Sequence, residues 1–278
     1  MNDVAATSRA GQGSGSDPDP DSDRGRIATE RRGGLFLIGI DRPAKYNGFT
    51  PEMCTALAQA FTDYEADDEL RCAVVHAAGA HFTAGLELSA FDITEPEFFP
   101  PDLVDPFDLR PPFRTKPVVA AVKGICFTLG IELMLAADIA VAEEGTRFSQ
   151  LEVKRGLMAF GGATIRFVER AGWGDAMRWL LTGDEFDAET ALRLGFVQEV
   201  VPPGEGLDRA VELAGRIAKQ APLAVRASRE NAAVSVRQGP EAAVRAFRGQ
   251  LAEIASSEDF AEGVQSFVER RVARFEGR

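Results

Sequence analysis

Histidine, cysteine, tryptophan and tyrosine are all scarce: the 278 residues include two His, three Cys, two Trp and two Tyr. His76 and His81 are too few and too close together for a His-rich metal site, and both are read as structural. Cys54, Cys72 and Cys126 are odd in number, widely spaced and flanked by apolar or small residues. That excludes the spacing of a zinc site and predicts buried, reduced thiols in a cytoplasmic protein. No metal is expected. Positive charge is also in deficit, with 31 Lys and Arg against 43 Asp and Glu and a net charge of −12, which repels nucleic-acid phosphates and anionic lipid. A long uncharged run is missing too. The stretch from Val118 to Ala142 is interrupted by Lys123, Glu132 and Asp138, whereas a spanning helix needs ~20 predominantly apolar residues. No membrane partner is expected. Residues 1–26 hold almost no large apolar side chain, so they lack the core of a signal peptide and read as a disordered leader.

What is present is enough apolar material, 45% of the chain, for a sizeable core. Leu35 to Ile40, Cys72 to Ala78, Val118 to Val122 and Ile139 to Ala142 read as buried strands. Thr50-Pro51 is a helix start, with Thr50 as N-cap, for a helix running to about Ala66, and Leu129 to Ala137 is a second helix. From Ile93 to Pro117 seven prolines argue for an irregular excursion of the kind that shapes sites. Beyond Gly161-Gly162 amphipathic stretches at 163–171, 175–181, 187–194, 205–220, 222–236, 240–255 and 258–274 predict a helical second half, broken by one strand, Phe196 to Val201.

Glu132 is the one carboxylate in an apolar segment, Gly124 to Leu135. Removing an ionised carboxylate from water costs several kcal/mol unless it is paired, so a functional role is favoured over a surface position or a buried Arg partner. Glu152, in the mixed segment Arg147 to Val153, carries weight only as its companion. The segments Ala77 to Leu86 and Thr128-Leu129-Gly130 each lead through glycine toward a helix start, where backbone N–H groups are free. Brought together, two such N–H groups would hold one carbonyl oxygen and stabilise an enolate or a tetrahedral oxyanion.

Phe82-Thr83-Ala84-Gly85-Leu86-Glu87-Leu88 resembles the crotonase (enoyl-CoA hydratase/isomerase) pattern F-[SCA]-A-G-x-D-L, and Lys116 to Gly124 resembles its K-P-x-[IV]-A-A-[VI]-x-G strand. Arg42-Pro43 through Asn47, Glu132-Leu133, Ala136 to Ile139, Phe148 to Glu152 and Gly161-Gly162 extend the likeness. The resemblance implies an α/β fold, a crotonase-like spiral of ββα units over 27–201, with a C-terminal helical trimerisation region over 202–278. It also implies a homotrimer or dimer of trimers acting on an acyl-CoA small-molecule substrate, with coenzyme A as part of that substrate and no separate cofactor. It assigns Glu132 and Glu152 as the catalytic acid/base pair, the backbone N–H groups of Leu86 and Leu129 as the oxyanion hole, and Ala84, Glu87, Leu88 and Gly130 as substrate or coenzyme A contacts. Retention of both glutamates favours an enoyl-CoA hydratase, with an enoyl-CoA isomerase as the alternative and a non-catalytic interaction protein as the outsider. The likeness breaks at Glu87, where the family has Asp, at Leu129, where it often has Gly, and at Met158-Ala159-Phe160, where a Pro commonly stands. The Leu129 side chain is therefore expected to influence acyl chain preference. Arg270, Arg271, Arg274 and Arg278 read as a solvated helix face, which in this family can also reach coenzyme A phosphates.

Overall fold

The computed structural model describes residues 24–94 and 98–278, so most of the leader lies outside the described residues. Arg26, assigned to the leader on composition, instead opens β1 (Arg26–Arg32), where its Nε donates to Asp41 at 2.8 Å. The run from Leu35 forms β2 (Leu35–Asp41), antiparallel to β1. Thr50 caps α1 (Pro51–Ala66), its hydroxyl accepting the Met53 N–H, with Pro51 in the first turn where no N–H is needed. β3 (Cys72–Ala77) follows. Among the described residues of the Pro-rich excursion, none lies in a helix or strand.

The chain then runs through two similar turns. β4 (Val118–Val122), β5 (Ile125–Phe127) and α2 (Leu129–Ala136) make one; β6 (Ile139–Glu143), β7 (Arg147–Ser149) and α3 (Ala163–Ala171) make the next. α4 (Trp173–Leu180), β8 (Phe186–Asp187), α5 (Ala188–Arg193), β9 (Glu199–Val201) and the helices α6 (Gly206–Ala218), α7 (Pro222–Gln238), α8 (Pro240–Ala255) and α9 (Glu258–Glu269) complete it. Each turn gives its first strand to a six-stranded sheet, ordered β1-β2-β3-β4-β6-β9, and its second to a three-stranded sheet, β5-β7-β8. From β2 to β9 the large sheet is parallel.

Side-chain alternation explains why these strands read as continuous apolar runs. Ile38, Val75 and Ala120 face one core, with α1 and α2, while Leu37, Val74 and Val119 face a second, closed by Ala210 and Ala214 of α6. Both faces are covered, so no polar face is needed. Strands β5, β7 and β8 escaped the sequence reading because two or three residues show no periodicity. The stretch 258–274, expected as one helix, stops at Glu269, where Arg270 turns left-handed (φ 57°). All three cysteines are buried free thiols. Among the described residues no helix is long and apolar enough to cross a membrane.

Candidate active site

The turn from β4 into β5 brings the first loop against the second. At Gly124 (φ +58°) a Cβ would lie 2.2 Å from the Ala80 carbonyl oxygen and 2.4 Å from His81 Nδ1, so only glycine permits the approach. His81 Nδ1 accepts the Ile125 N–H at 3.1 Å, and Asn47 Nδ2 donates to the carbonyls of Ala78 and His81 at 2.9 and 2.8 Å. His81 therefore ties the first loop to the second, a structural role of the kind expected from the sequence. Single parallel bridges Thr83–Cys126 and Phe49–Leu86 continue the pairing into the loop.

This pairing sets Leu86 beside the start of α2. Both Leu86 and Leu129 border one cavity of about 210 Å³, together with Ala84, Leu88, Glu132 and Glu152. The N–H groups of Leu86 and Leu129 have no hydrogen-bond partner among the described residues. Glu87 and Gly130 do not border the cavity. The Glu87 carboxylate is taken by Arg42 Nη1 at 2.6 Å, and Gly130 is small because a Cβ there would sit 2.7 Å from Thr83 Cγ2. Gly130 thereby lets the two loops approach, and Glu87 ties the first loop to the end of β2.

Every residue of α2 is buried, and Glu132 is 2% exposed. Its Oε1 accepts the N–H groups of Gly161 (2.7 Å) and Ala163 (3.2 Å), where the Gly161-Gly162 pair leads into α3. Burial pushes its carboxyl up to about 7, against the opposing pull of those two N–H groups and of Arg166. Glu152 opens a short 3-10 turn (Glu152–Arg155), and its Oε2 is buried with no partner among the described residues. Burial also pushes Glu152 up to about 7, and the charge of Glu132 adds to the rise. N–H groups pull on both carboxyls, those of Gly161 and Ala163 on Glu132 and its own on Glu152, but Glu152 also keeps a buried oxygen without a partner beside a negative neighbour, which favours its neutral form.

The sequence reading missed the aromatic wall. Phe98 and Phe107, from the Pro-rich excursion, and Phe160 border the cavity, with the rings of Phe98 and Phe160 stacked at 5.0 Å. Asp105 holds the excursion in shape, its carboxylate accepting the N–H groups of Phe107, Leu109 and Arg110. Asp108 anchors it to α7, paired with Arg229 and Arg237 at 2.9 Å each. The proline cluster marked the excursion, but nothing in the sequence said which phenylalanines turn inward. Exposed Arg155 and half-buried Thr128 also border the cavity.

A buried carboxylate pair beside two free amides is suited to moving protons on carbons next to a carbonyl while its oxygen is held. Comparison with known proteins agrees. The family model "Enoyl-CoA hydratase/isomerase" matches residues 30–278. The enoyl-CoA hydratase EchA19 of Mycobacterium tuberculosis is 33% identical over 260 residues, 90% of this chain and 96% of that protein. A carnitinyl-CoA dehydratase of Salmonella agona is 34% identical over 259 residues, 89% of this chain and 97% of that protein. A probable enoyl-CoA hydratase/isomerase from Mycobacterium abscessus superposes with a TM-score of 0.88 at 47% identity, covering 91% of this chain and 98% of that one. With a family model matched over nearly the whole described chain and a shared fold, the protein belongs to the enoyl-CoA hydratase/isomerase family of the crotonase superfamily.

Proposed function

We propose that the protein hydrates a 2-enoyl-CoA thioester to a 3-hydroxyacyl-CoA. The observation that carries this reading is that Glu132 and Glu152 border one cavity in complementary environments. The thioester oxygen accepts from the Leu86 and Leu129 N–H groups, which draws electron density from the double bond and leaves C3 electrophilic. Ionised Glu132 removes a proton from water as its oxygen bonds to C3, and neutral Glu152 delivers its proton to C2. Proton exchange with solvent then restores both groups. No electron acceptor enters this balance. The hydratase and dehydratase names of the relatives fit the same direction of chemistry, addition or removal of water.

The acting unit in this reading is a homotrimer or a dimer of trimers in the cytoplasm. Phe247, Leu251, Phe260, Val264 and Phe267 of α8 and α9 are each 48% or more exposed on the single chain, which leaves apolar surface for another copy to cover. The test is consumption of the conjugated absorbance of a short 2-enoyl-CoA by the purified protein. Absence of turnover at every chain length, with conversion of a 3-enoyl-CoA to its 2-enoyl isomer, would replace hydration by isomerisation.

A further inference from the structure

Thr128 occupies backbone space that suits glycine. Its φ of 50° and ψ of −118° lie outside the regions open to residues with a side chain, and a β-branched residue is the least tolerant of them. Such strain is unfavourable and persists only where the surroundings over-determine it. The hydroxyl does not repay that cost by capping α2, since it makes no cap hydrogen bond, and Oγ1 has no other hydrogen-bond partner among the described residues. It lies instead against Gly85, at the spot where a Gly85 side chain would be: a Cβ there would stand 1.9 Å from Thr128 Oγ1. Gly85 and Thr128 are the residues immediately before Leu86 and Leu129, so the hydroxyl sits between the two loops where both free amides begin. Thr128 also borders the cavity that holds Glu132 and Glu152.

We infer that the Thr128 hydroxyl is a third hydrogen-bond donor to the thioester oxygen, supplementing the Leu86 and Leu129 N–H groups. This rests on the reading of the cavity as an acyl-CoA site. A hydroxyl rotates to follow the oxygen as it gains charge, and a donor aimed at developing charge lowers the barrier rather than merely tightening binding.

The experiment compares wild type with Thr128→Val, Thr128→Ser and Thr128→Gly. The first readout is the infrared carbonyl stretch of a saturated acyl-CoA, labelled with carbon-13 at the thioester and bound without reacting. The second is the split between kcat and KM for a 2-enoyl-CoA. Wild type and Thr128→Ser are expected to show the same lowered stretch. Thr128→Val and Thr128→Gly should move it back toward the free thioester and lose about tenfold or more in kcat with KM little changed. Thr128→Gly, which relieves the backbone, is expected to lose activity while melting higher than wild type, a combination that a purely structural threonine would not give. Should Thr128→Val fold poorly, Thr128→Gly carries the test alone. An unchanged carbonyl stretch and kcat in Thr128→Gly would overturn the inference. A protein that hydrates nothing, yet shows the stretch difference between wild type and Thr128→Gly, would overturn the reaction assignment and leave the third donor standing.

Discussion

Gly161 and Glu132 are in such close contact that a Cβ on Gly161 would lie 2.4 Å from Glu132 Oε2, while the Gly161 N–H donates to Oε1 of the same carboxylate at 2.7 Å. Gly161→Ala therefore has to push the carboxylate away or give up that hydrogen bond. Displacement of a reacting group by about 1 Å costs roughly 10²-fold in rate, so kcat should fall by about that factor while acyl-CoA binding changes little. Steady-state kinetics with a calorimetric binding measurement would show the split; wild-type kcat would mean that the contact relaxes without moving Glu132.

Glu132→Gln and Glu152→Gln each keep shape and remove a proton-transfer role. Loss of one general acid or base costs ~10²–10⁴-fold, so each variant should lose turnover by that order and retain affinity for a saturated acyl-CoA. Near wild-type turnover in either would exclude that glutamate from the chemistry.

The acidity of the pair fixes two pH dependences. Hydration as proposed needs Glu132 ionised and Glu152 protonated, and both are pushed up to about 7 by burial, so kcat/KM should trace a bell centred near neutrality. A flat profile between pH 5 and 9 would contradict it. For stability, a carboxyl raised from its ordinary 4.5 to about 7 in the folded state binds its proton more tightly there than in the unfolded chain. Its contribution is full below the unfolded value and is lost as pH rises to about 7, at most ~3 kcal/mol for Glu132. Glu132→Gln escapes that loss, so its melting temperature should gain on wild type from pH 5 to 8, as read by calorimetry.

Leu129 is 3% exposed, borders the cavity and belongs to the main core cluster. Leu129→Gly removes a side chain that lies between the core and the cavity, and one methylene in an apolar pocket is worth ~1–3 kcal/mol in discrimination. The ranking of kcat/KM across short, medium and branched 2-enoyl-CoA substrates should shift toward bulkier acyl groups by about tenfold or more. An unchanged ranking would mean that only the Leu129 N–H matters.

The exposed faces of α8 and α9 predict self-association, which light scattering at micromolar concentration should report as three or six copies. Phe267, 85% exposed in the single chain, is the place to break it: Phe267→Asp should shift the distribution toward monomer.

Much of this was legible in the sequence because it rests on local physics. Val118 to Val122 is apolar at every position since both faces of β4 are covered, and Thr50-Pro51 starts α1 by a cap that two residues specify. Glu132 stood out because a lone carboxylate in an apolar helix has few alternatives. What stayed hidden depends on contacts distant in sequence. Phe107 points inward because Asp105 folds the excursion around its own carboxylate, and Glu87 is turned from the cavity by Arg42, 45 residues earlier. Thr128 stayed hidden for a different reason, since its backbone of positive φ (50°) is set by the packing of its loop and has no signature in the residue type.

The grip of Asp108 on Arg229 and Arg237 of α7 has a thermodynamic consequence. Asp108 is the neighbour of Phe107, which forms part of the cavity wall, and α7 packs along α8, one of the helices with an exposed apolar face. The ion pairs thus make a mechanical link from the cavity wall to a helix beside an exposed apolar face, and coupling through such a link would act equally in both directions. The expected sign of that link is that dilution weakens affinity for a saturated acyl-CoA and the acyl-CoA opposes dissociation, by equal factors; an affinity independent of protein concentration would show the link to be slack.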